Sequence, residues 1–342
     1  MVIKFQKNEE WFTFYDSKGT LIERKTEVRF DPLTGETSRI VFDSGAAIVP
    51  PDYTEAAKQT IGVKCPFCPE NLLHMTPVFP KEVAKDGRIF QGKAVVFPNL
   101  FPYSKHNGVV IFSDQHYIKL EQFTTELIMD AFLAAQTYIQ NVKGTDPKAK
   151  YASINWNYLP YSGGSVLHPH IQAIVSESPT NYQTRSSNKL LEYSQDNDGI
   201  DFHYSLYHTE KNLGERWIGE CGQVAWMHAF APKSHNDFIA VFLQSHSIYD
   251  ISEQDWADFA RGLQAIFATL TEQGFASFNL ALNVALDQEA RQLVYAHLIP
   301  RITIGKLNTS DINVFQALQN EPLSFKTPEV VAAIARNNFQ KL

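Results

Sequence analysis

Apolar residues recur at near-helical spacing in two long stretches of the chain. Leu120 to Val142 places Phe123, Leu127, Met129, Phe132, Leu133 and Ile139 on one stripe. Ser252 to Gln273 does the same with Trp256, Phe259, Leu263, Ile266, Phe267 and Leu270, the pattern of an amphipathic helix. Ser252, with Gln254 and Asp255 close behind, predicts an N-cap, and Gly144 and Gly274 predict the stops. A strand-like run ending in a histidine precedes each helix, Gly108 to His116 and Asp237 to His246. A second run follows each, Tyr151 to Asn157 or Ser277 to Val284, and leads to a further histidine-bearing strand around His168 or His297.

The order repeats, and so does the spacing: 52 positions separate His116 from His168, and 51 separate His246 from His297. Upstream, Lys105-His106-Asn107 matches Lys233-Ser234-His235-Asn236. Together these predict an internal duplication and an α+β protein of two tandem halves, antiparallel sheets with one long helix each, the helices largely to one side. The polar stretch Arg185 to Asn212 reads as the connection. It divides the chain into a first half, 1–195, and a second half with a C-terminal extension, 196–342. Turn-forming Asp16-Ser17-Lys18-Gly19 and Asp31-Pro32-Leu33-Thr34-Gly35 predict hairpins in the first ~60 residues that wrap the first half.

Composition narrows the class. At 342 residues, 44% hydrophobic and 20% charged, the chain can bury a substantial core without staples. A net charge of −7 with scattered Lys and Arg argues against binding a nucleic-acid polymer, while a small phosphate pocket needs only a few donors. The first ten residues lack the apolar core of a signal peptide, and no uncharged apolar run approaches the ~18 residues of a membrane span. The expectation is a soluble cytoplasmic protein with no membrane partner.

Candidate chemistry gathers in the first half. In His168-Pro169-His170-Ile171-Gln172, running into Ala173-Ile174-Val175, strand alternation puts His168, His170 and Gln172 on one face. Three polar side chains there are costly to bury without partners, so they face a cleft, a metal or both. Just upstream, Ser162-Gly163-Gly164-Ser165 offers backbone N–H groups to a phosphate. Cys65-Pro66-Phe67-Cys68 does not make a secreted disulfide framework. It reads as half of a zinc site, for which His116 and His168 are candidates to complete the tetrahedron, or as two buried thiols or a redox pair. Cys221 reads as a lone buried thiol.

The ordered set Cys65-Pro-Phe-Cys68, Val96-Phe-Pro-Asn99, Phe112-Ser-Asp-Gln-His116, Asn157, Gly163-Gly164-Ser165 and His168-Pro-His-Ile-Gln172 resembles the galactose-1-phosphate uridylyltransferase family of the histidine-triad superfamily. The resemblance spans most of the chain, from Arg29-Phe30-Asp31-Pro32-Leu33-Thr34-Gly35 to Lys326-Thr327-Pro328-Glu329. It implies two histidine-triad-like halves, usually paired as a homodimer. It also implies Zn2+ held by Cys65, Cys68, His116 and His168, a nucleophile at His170, and Gln172 on the transferring phosphoryl group. Asn157 and Ser165 match further phosphate contacts, Asn99 a ribose contact, and Arg29 a residue that reaches toward the partner's phosphates.

The implied reaction is transfer of a nucleoside monophosphate, UMP first, between a nucleotide sugar and a hexose 1-phosphate through a nucleotidyl-histidine. A phosphorylase using inorganic phosphate on a nucleotide sugar or dinucleoside polyphosphate is the alternative, and a non-catalytic nucleotide-binding protein a third reading. An imidazole nucleophile must be unprotonated at its attacking nitrogen, so the other ring nitrogen needs a fixed acceptor such as a backbone carbonyl. Three departures bear on the substrate and a second metal. Asn99 is followed by Leu100-Phe101-Pro102 rather than an acid, as in relatives resembling plant ADP-glucose phosphorylase. Ile312-Asn313-Val314-Phe315-Gln316 lacks the Tyr-Glu pair of galactose-handling members. Tyr295-Ala296-His297 stands where an H-x-H would bind a second metal, so the second-half histidines read as structural.

Overall fold

A computed structural model describes residues 3–43, 45, 48–287, 291–305, 307 and 309–342; the first two residues of the N-terminal stretch read for a leader lie outside that set. The chain opens with strands β1 (Gln6–Tyr15), β2 (Leu21–Phe30) and β3 (Thr37–Ile40), then short helices α1 (Thr54–Thr60) and α2 (Pro69–Met75). The first half follows as β4 (Ile89–Gln91), β5 (Ala94–Pro98), β6 (His106–Ile111), α3 (Thr125–Thr145), β7 (Tyr151–Tyr158) and β8 (His170–Ser176). Helices α4 (Asn181–Asp196) and α5 (Phe202–Leu213) lead to the second half: β9 (Trp217–Cys221), β10 (Val224–His228), β11 (Phe238–Phe242), α6 (Glu253–Glu272), β12 (Ser277–Ala285) and β13 (Tyr295–Arg301). Helices α7 (Val314–Gln319) and α8 (Pro328–Phe339) come last.

The fold is α+β, and the two expected sheets are one. Strands run β4-β5-β6-β8-β7-β12-β13-β11-β10-β9 across a ten-stranded sheet, which is antiparallel throughout. Read inward from either edge the connectivity is the same, and the halves join where β7 pairs β12 from Phe278↔Tyr158 to Ala285↔Tyr151. Pairing two edge strands removes both edges, which each half alone would expose.

Local details repeat with the topology. Gly92 in the β4–β5 turn has φ +51°, and a Cβ there would fall 1.9 Å from Asp130 Oδ2 on α3. Gly222 in the β9–β10 turn has φ +52°, and its Cβ would fall 1.7 Å from Asp258 Oδ2 on α6. Each turn thus needs both a left-handed backbone and a missing side chain.

Helices α3 and α6 lie on one face of the sheet. Gln264 ties them, donating to the Phe123 carbonyl at 2.9 Å and accepting from Thr125. Their apolar stripes pack on the inward residues of both halves, with Trp156, Trp226 and Trp256 fully buried. The caps follow the sequence reading with one difference. Ser252 accepts from Asp255 N–H and Gly274, at φ +79°, follows the end of α6, whereas α3 is capped by Thr124 and runs through Gly144 to Thr145. Gly144 meets no neighbour within 4 Å, so nothing there forces the backbone out of the helix, and the stop falls to Asp146.

The opposite face is covered only at its flanks. Phe67 and Leu72 pack on Val95, Phe97, Val109 and Ile111, while α4 and α5 set Leu190, Phe202 and Leu206 against Ala225, Met227, Ile239 and Val241. The polar stretch expected to be a connection is therefore a helical cover whose inner stripe is apolar. Over the middle strands the face stays open: on β8 the half-buried positions are His170, Gln172, Ile174 and Ser176, and on β13 they include His297, Ile299 and Arg301.

Two sequence expectations are corrected. The Asp16–Gly19 hairpin forms, with Asp16 Oδ1 accepting from Lys18 and Thr20, but residues 3–40 dock on the second half rather than the first. Phe5 packs on Phe230, Ile3 N–H donates to Thr209, and β3 pairs in parallel with Leu323–Ser324. The match of His168 with His297 also fails. His168 precedes β8, whereas His297 lies two residues inside β13, so the equal spacing of histidines does not follow the equal spacing of strands.

Gly222→Ala is expected to destabilise the protein by about 2 kcal/mol or more, since it combines left-handed strain with a clash. Gly144→Ala should instead stabilise it by roughly 0.5–1 kcal/mol. Urea unfolding of both checks the pair.

Candidate active site

The segment linking β7 to β8 and the strands beside it bring the sequence-singled residues together. Cys65, Cys68, His116 and His168 are all buried, and their ligand atoms lie within 4.8 Å of one another. Cys68 Sγ is 3.4 Å from His116 Nδ1 and 3.9 Å from His168 Nδ1, and Cys65 Sγ is 3.8 Å from His168 Nδ1. Metal–ligand bonds of ~2.3 Å to sulfur and ~2.05 Å to nitrogen give a tetrahedral S···N edge of roughly 3.6 Å, so the spacing fits a divalent ion such as zinc.

The ring orientations agree. His168 Nε2–H donates to the Ser113 carbonyl at 2.8 Å and His116 Nε2 lies 2.9 Å from Thr60 Oγ1, leaving both Nδ1 atoms facing the cluster as outer-shell bonding to a ligating histidine requires. Burial drives His168 down to about 4, hence neutral, and pushes the Cys65 thiol up to about 11. A cation is what would make a thiolate tenable there.

His170 turns the other way, onto the open face. Its Nδ1–H donates to the His168 carbonyl at 2.8 Å, and its ring lies edge-on to Phe67 at 5.3 Å. The bond fixes the tautomer with Nε2 unprotonated, and burial lowers the imidazole pKa although the bond to the carbonyl opposes that shift. Strand alternation sets Gln172 beside it. Asn99 Nδ2 donates to Gln172 Oε1 at 3.4 Å and to Asn107 Oδ1 at 3.1 Å, so the Gln172 amide presents its N–H groups outward.

From Gln172 a cleft of about 730 Å³ runs over β7 and β8, lined also by Asn155, Asn157, Tyr103, Lys105 and Gln183. That volume suits a small-molecule ligand. Asn157 is held from the second half: Asn279 Nδ2 donates to its Oδ1 at 2.7 Å, and Arg301 donates to Asn279 Oδ1 at 3.2 Å.

The Ser162–Ser165 loop is shaped differently from the sequence reading. The N–H groups of Gly163 and Gly164 are used within the turn, donating to the Pro160 and Leu159 carbonyls. These glycines serve conformation: Gly163 has φ +90°, and a Cβ on Gly164 would sit 3.0 Å from the Asn157 and Leu159 carbonyl oxygens. Ser165, exposed just beyond them, keeps free donors among the described residues.

Arg29 is not brought to this site. It is 2% exposed, forks onto Glu329 at 2.8 and 2.9 Å, pairs with Glu27, and stacks over Phe230. Its guanidinium is consumed in tying β2 to α8. Sequence reasoning missed Asn107, Asn155 and Asn279 as site residues. For Asn155 and Asn279 the available signal was asparagines sharing one face of an otherwise apolar strand, Asn155 with Asn157 on β7 and Asn279 with Asn283 on β12.

These features define a protein with the fold of the galactose-1-phosphate uridylyltransferase family, carrying a Cys2His2 cluster beside a half-buried histidine on the open face of the sheet. No family model matches the chain. Solved structures agree over nearly the whole length. An ADP-glucose phosphorylase from Arabidopsis thaliana solved with bound ADP-glucose matches at TM-score 0.70 and 17% identity, covering 91% of this chain and 98% of that one. A GalT-like protein from the same plant matches at 0.68 and 16%, covering 90% and 98%, and a uridylyltransferase mutant at 0.67 and 17%, covering 92% and 98%. In sequence the chain is 31% identical over 331 residues to an uncharacterized protein of Archaeoglobus fulgidus, covering 95% of this chain and 96% of that one. The chain belongs to one family with that archaeal protein.

His116→Ala removes one of four ligand atoms and should lower both bound zinc and melting temperature, because ligation is coupled to folding. Elemental analysis of purified protein beside thermal unfolding checks this; wild-type protein without zinc would contradict the four-ligand assignment.

Proposed function

We propose that the protein is a nucleotidyltransferase that carries a nucleoside monophosphate on His170 Nε2. The observation that supports this most directly is the 2.8 Å bond from His170 Nδ1–H to the His168 carbonyl, which leaves the outward nitrogen with its lone pair. In the first displacement Nε2 attacks the α-phosphorus of a nucleotide sugar; the N–P bond forms, the P–O bond breaks, and sugar 1-phosphate leaves with the electron pair. In the second, an oxygen of a hexose 1-phosphate attacks, and the N–P bond breaks to return the lone pair to Nε2. Ping-pong kinetics follow.

Gln172, held by Asn99, donates to the phosphoryl oxygens as charge builds there, with Ser165 and Asn157 as further donors. Asn99 also contacts the ribose. An amide cannot supply a proton as an imidazolium does, so Gln172 favours phosphate-bearing acceptors over water. Zinc bound to Cys65, Cys68, His116 and His168 would fix the His168 carbonyl in place, a structural rather than chemical contribution.

UMP is the leading cargo. A second reading, phosphorolysis of an ADP-sugar, is favoured by two observations: Asn99 is followed by Leu100 where an acid would mark uridylyl specificity, and the plant phosphorylase with bound ADP-glucose shares the fold. We place the enzyme in the cytoplasm as a homodimer, with 1–195 carrying the chemistry and 196–342 supporting it. Exposed Trp11, Phe12 and Tyr15 on the β1–β2 hairpin offer apolar surface to a second copy. No described helix is long and apolar enough to cross a membrane.

Exchange assays with UDP-, ADP- and GDP-sugars against hexose 1-phosphates and inorganic phosphate test the reading. Parallel double-reciprocal lines are expected for one nucleobase, and His170→Gly should lower turnover by at least about 10⁴-fold with folding and zinc retained. Undiminished exchange in that variant would overturn the role given to His170.

A further inference from the structure

The second half keeps its own cleft at the position that corresponds to the catalytic one. Backbone bonds establish the correspondence. Asn99 N–H donates to the Asn107 carbonyl at 2.8 Å, and Ala229 N–H donates to the Asp237 carbonyl at 2.8 Å. Tyr103 N–H donates to Asn107 Oδ1 at 3.2 Å, and Lys233 N–H to Asp237 Oδ2 at 3.0 Å. Ser104 Oγ–H donates to the Val175 carbonyl and Ser234 Oγ–H to the Pro300 carbonyl. Strand pairing carries the match to the chemistry: Ile111 faces His170 across β6–β8 and Val241 faces Tyr295 across β11–β13, while Asn155 faces Gln172 and Ala281 faces His297. Tyr295 thus stands in the place of His170, His297 in that of Gln172, and Asp237 in that of Asn107.

A cleft of about 470 Å³ lies over this second face, lined by Lys233, Ser234, Ile299 and Arg301, the counterparts of Tyr103, Ser104, Ile174 and Ser176 in the first cleft. A smaller pocket adjoining it shares Lys233 and reaches His297. The substitutions redistribute its charge: Asn107 gives way to Asp237 and Lys105 to His235, while two lining positions become cationic. Where the first half has Tyr103 the second has Lys233, and where it has Ser176 the second has Arg301.

Most charges there are engaged. Arg301 forks onto Asp311 and Arg185 pairs with Glu36, while Asp31 accepts from Leu33 and Thr34 within its turn. Two groups keep a nitrogen free of hydrogen bonds. Lys233 Nζ pairs with Asp237 Oδ2 at 3.8 Å and lies 5.8 Å from the Tyr182 ring centroid, but carries no hydrogen bond among the described residues. His297 Nε2 carries none either, while its Nδ1 lies 2.7 Å from Asp237 Oδ1. The fully buried Asp237 carboxylate therefore orients the Lys233 ammonium and fixes the His297 ring with Nε2 turned away from it. Burial opposes its charge, yet His297 and Lys233 hold it ionised, at about 2.

We propose that this second cleft binds a phosphate-bearing small molecule through the Lys233 ammonium, with His297 donating from Nε2 as the imidazolium paired to Asp237, and does not turn it over. Binding without chemistry follows from the exchanged residues. No imidazole occupies the nucleophile's position, and the phenol of Tyr295, fully protonated by burial, lies 3.5 Å from the Tyr182 hydroxyl. The duplication has kept the recognition scaffold and moved the positive charge into it, which suits a ligand bound for occupancy rather than reaction.

Equilibrium binding with UMP, AMP, glucose 1-phosphate and inorganic phosphate as separate probes tests this on the full chain. At least one probe should saturate at two equivalents per chain, and the pattern separates a mononucleotide from a sugar phosphate or bare phosphate. Lys233→Ala should weaken one equivalent by roughly tenfold or more, the loss of a charge-assisted bond, and leave the other unchanged. Gln172→Ala should do the converse. Acylation of the Lys233 amine, read by mass spectrometry on wild-type protein, should slow when the probe is present, which serves if the variant does not fold. One equivalent for every probe, or a second equivalent that neither depends on nor protects Lys233, overturns the proposal. Because no turnover is read, the outcome is separable from the role of His170.

Discussion

The Nδ1 proton of His170 sits on the main-chain carbonyl of His168, and the working geometry of the site descends from that contact. A carbonyl can only direct a neighbouring ring if it is itself immobile. His168 meets that condition through both ring nitrogens: Nε2 donates to Ser113 and Nδ1 faces the cysteines. One residue therefore joins a buried cluster to the half-buried imidazole two positions on, with Phe67 edge-on to both rings.

The ten-stranded sheet extends the same logic. Pairing β7 with β12 does more than protect two edges; it places Asn279 of the second half against Asn157 of the first, with Arg301 behind it. The second half thus braces the first cleft's wall from behind, through Asn157. The buried pairs of Arg29 and Arg216 with Glu329 clamp β2, β9 and α8 together, stiffening the support at some distance from the chemistry. Charges this buried are costly unless bonded: Arg29 forks onto Glu329 and lies over Phe230, whereas Arg216, against Phe5 and Phe230, bonds through Nε and Nη1 and leaves Nη2 without a partner among the described residues.

How much was legible depended on how local the cause was. The helices were legible because Ser252 and the apolar stripes act within a few turns. The Cys65, Cys68, His116 and His168 set was legible because ligand chemistry restricts residue type, and the need for a carbonyl behind His170 followed from imidazole tautomerism. The fork of Arg29 onto Glu329 was not legible because the two lie 300 positions apart, and no local pattern distinguishes a buried fork from a phosphate contact. Gly163 and Gly164 were read for their N–H groups, whereas the turn consumes those and needs the glycines for shape. The duplication was legible in outline but not in register, because histidines were matched to histidines. What the two halves share is backbone bonding and the Gly92–Asp130 and Gly222–Asp258 pairs, while the side chains facing the clefts have diverged.

The central claim is that His170 Nε2 becomes covalently nucleotidylated, and mapping the adduct tests it most directly. Protein incubated with a labelled nucleotide sugar, quenched in base and digested, should yield one modified peptide whose fragmentation places the nucleoside monophosphate on His170, with the label lost in acid. Label on another residue, or no adduct with any nucleotide sugar that the protein consumes, would contradict the account.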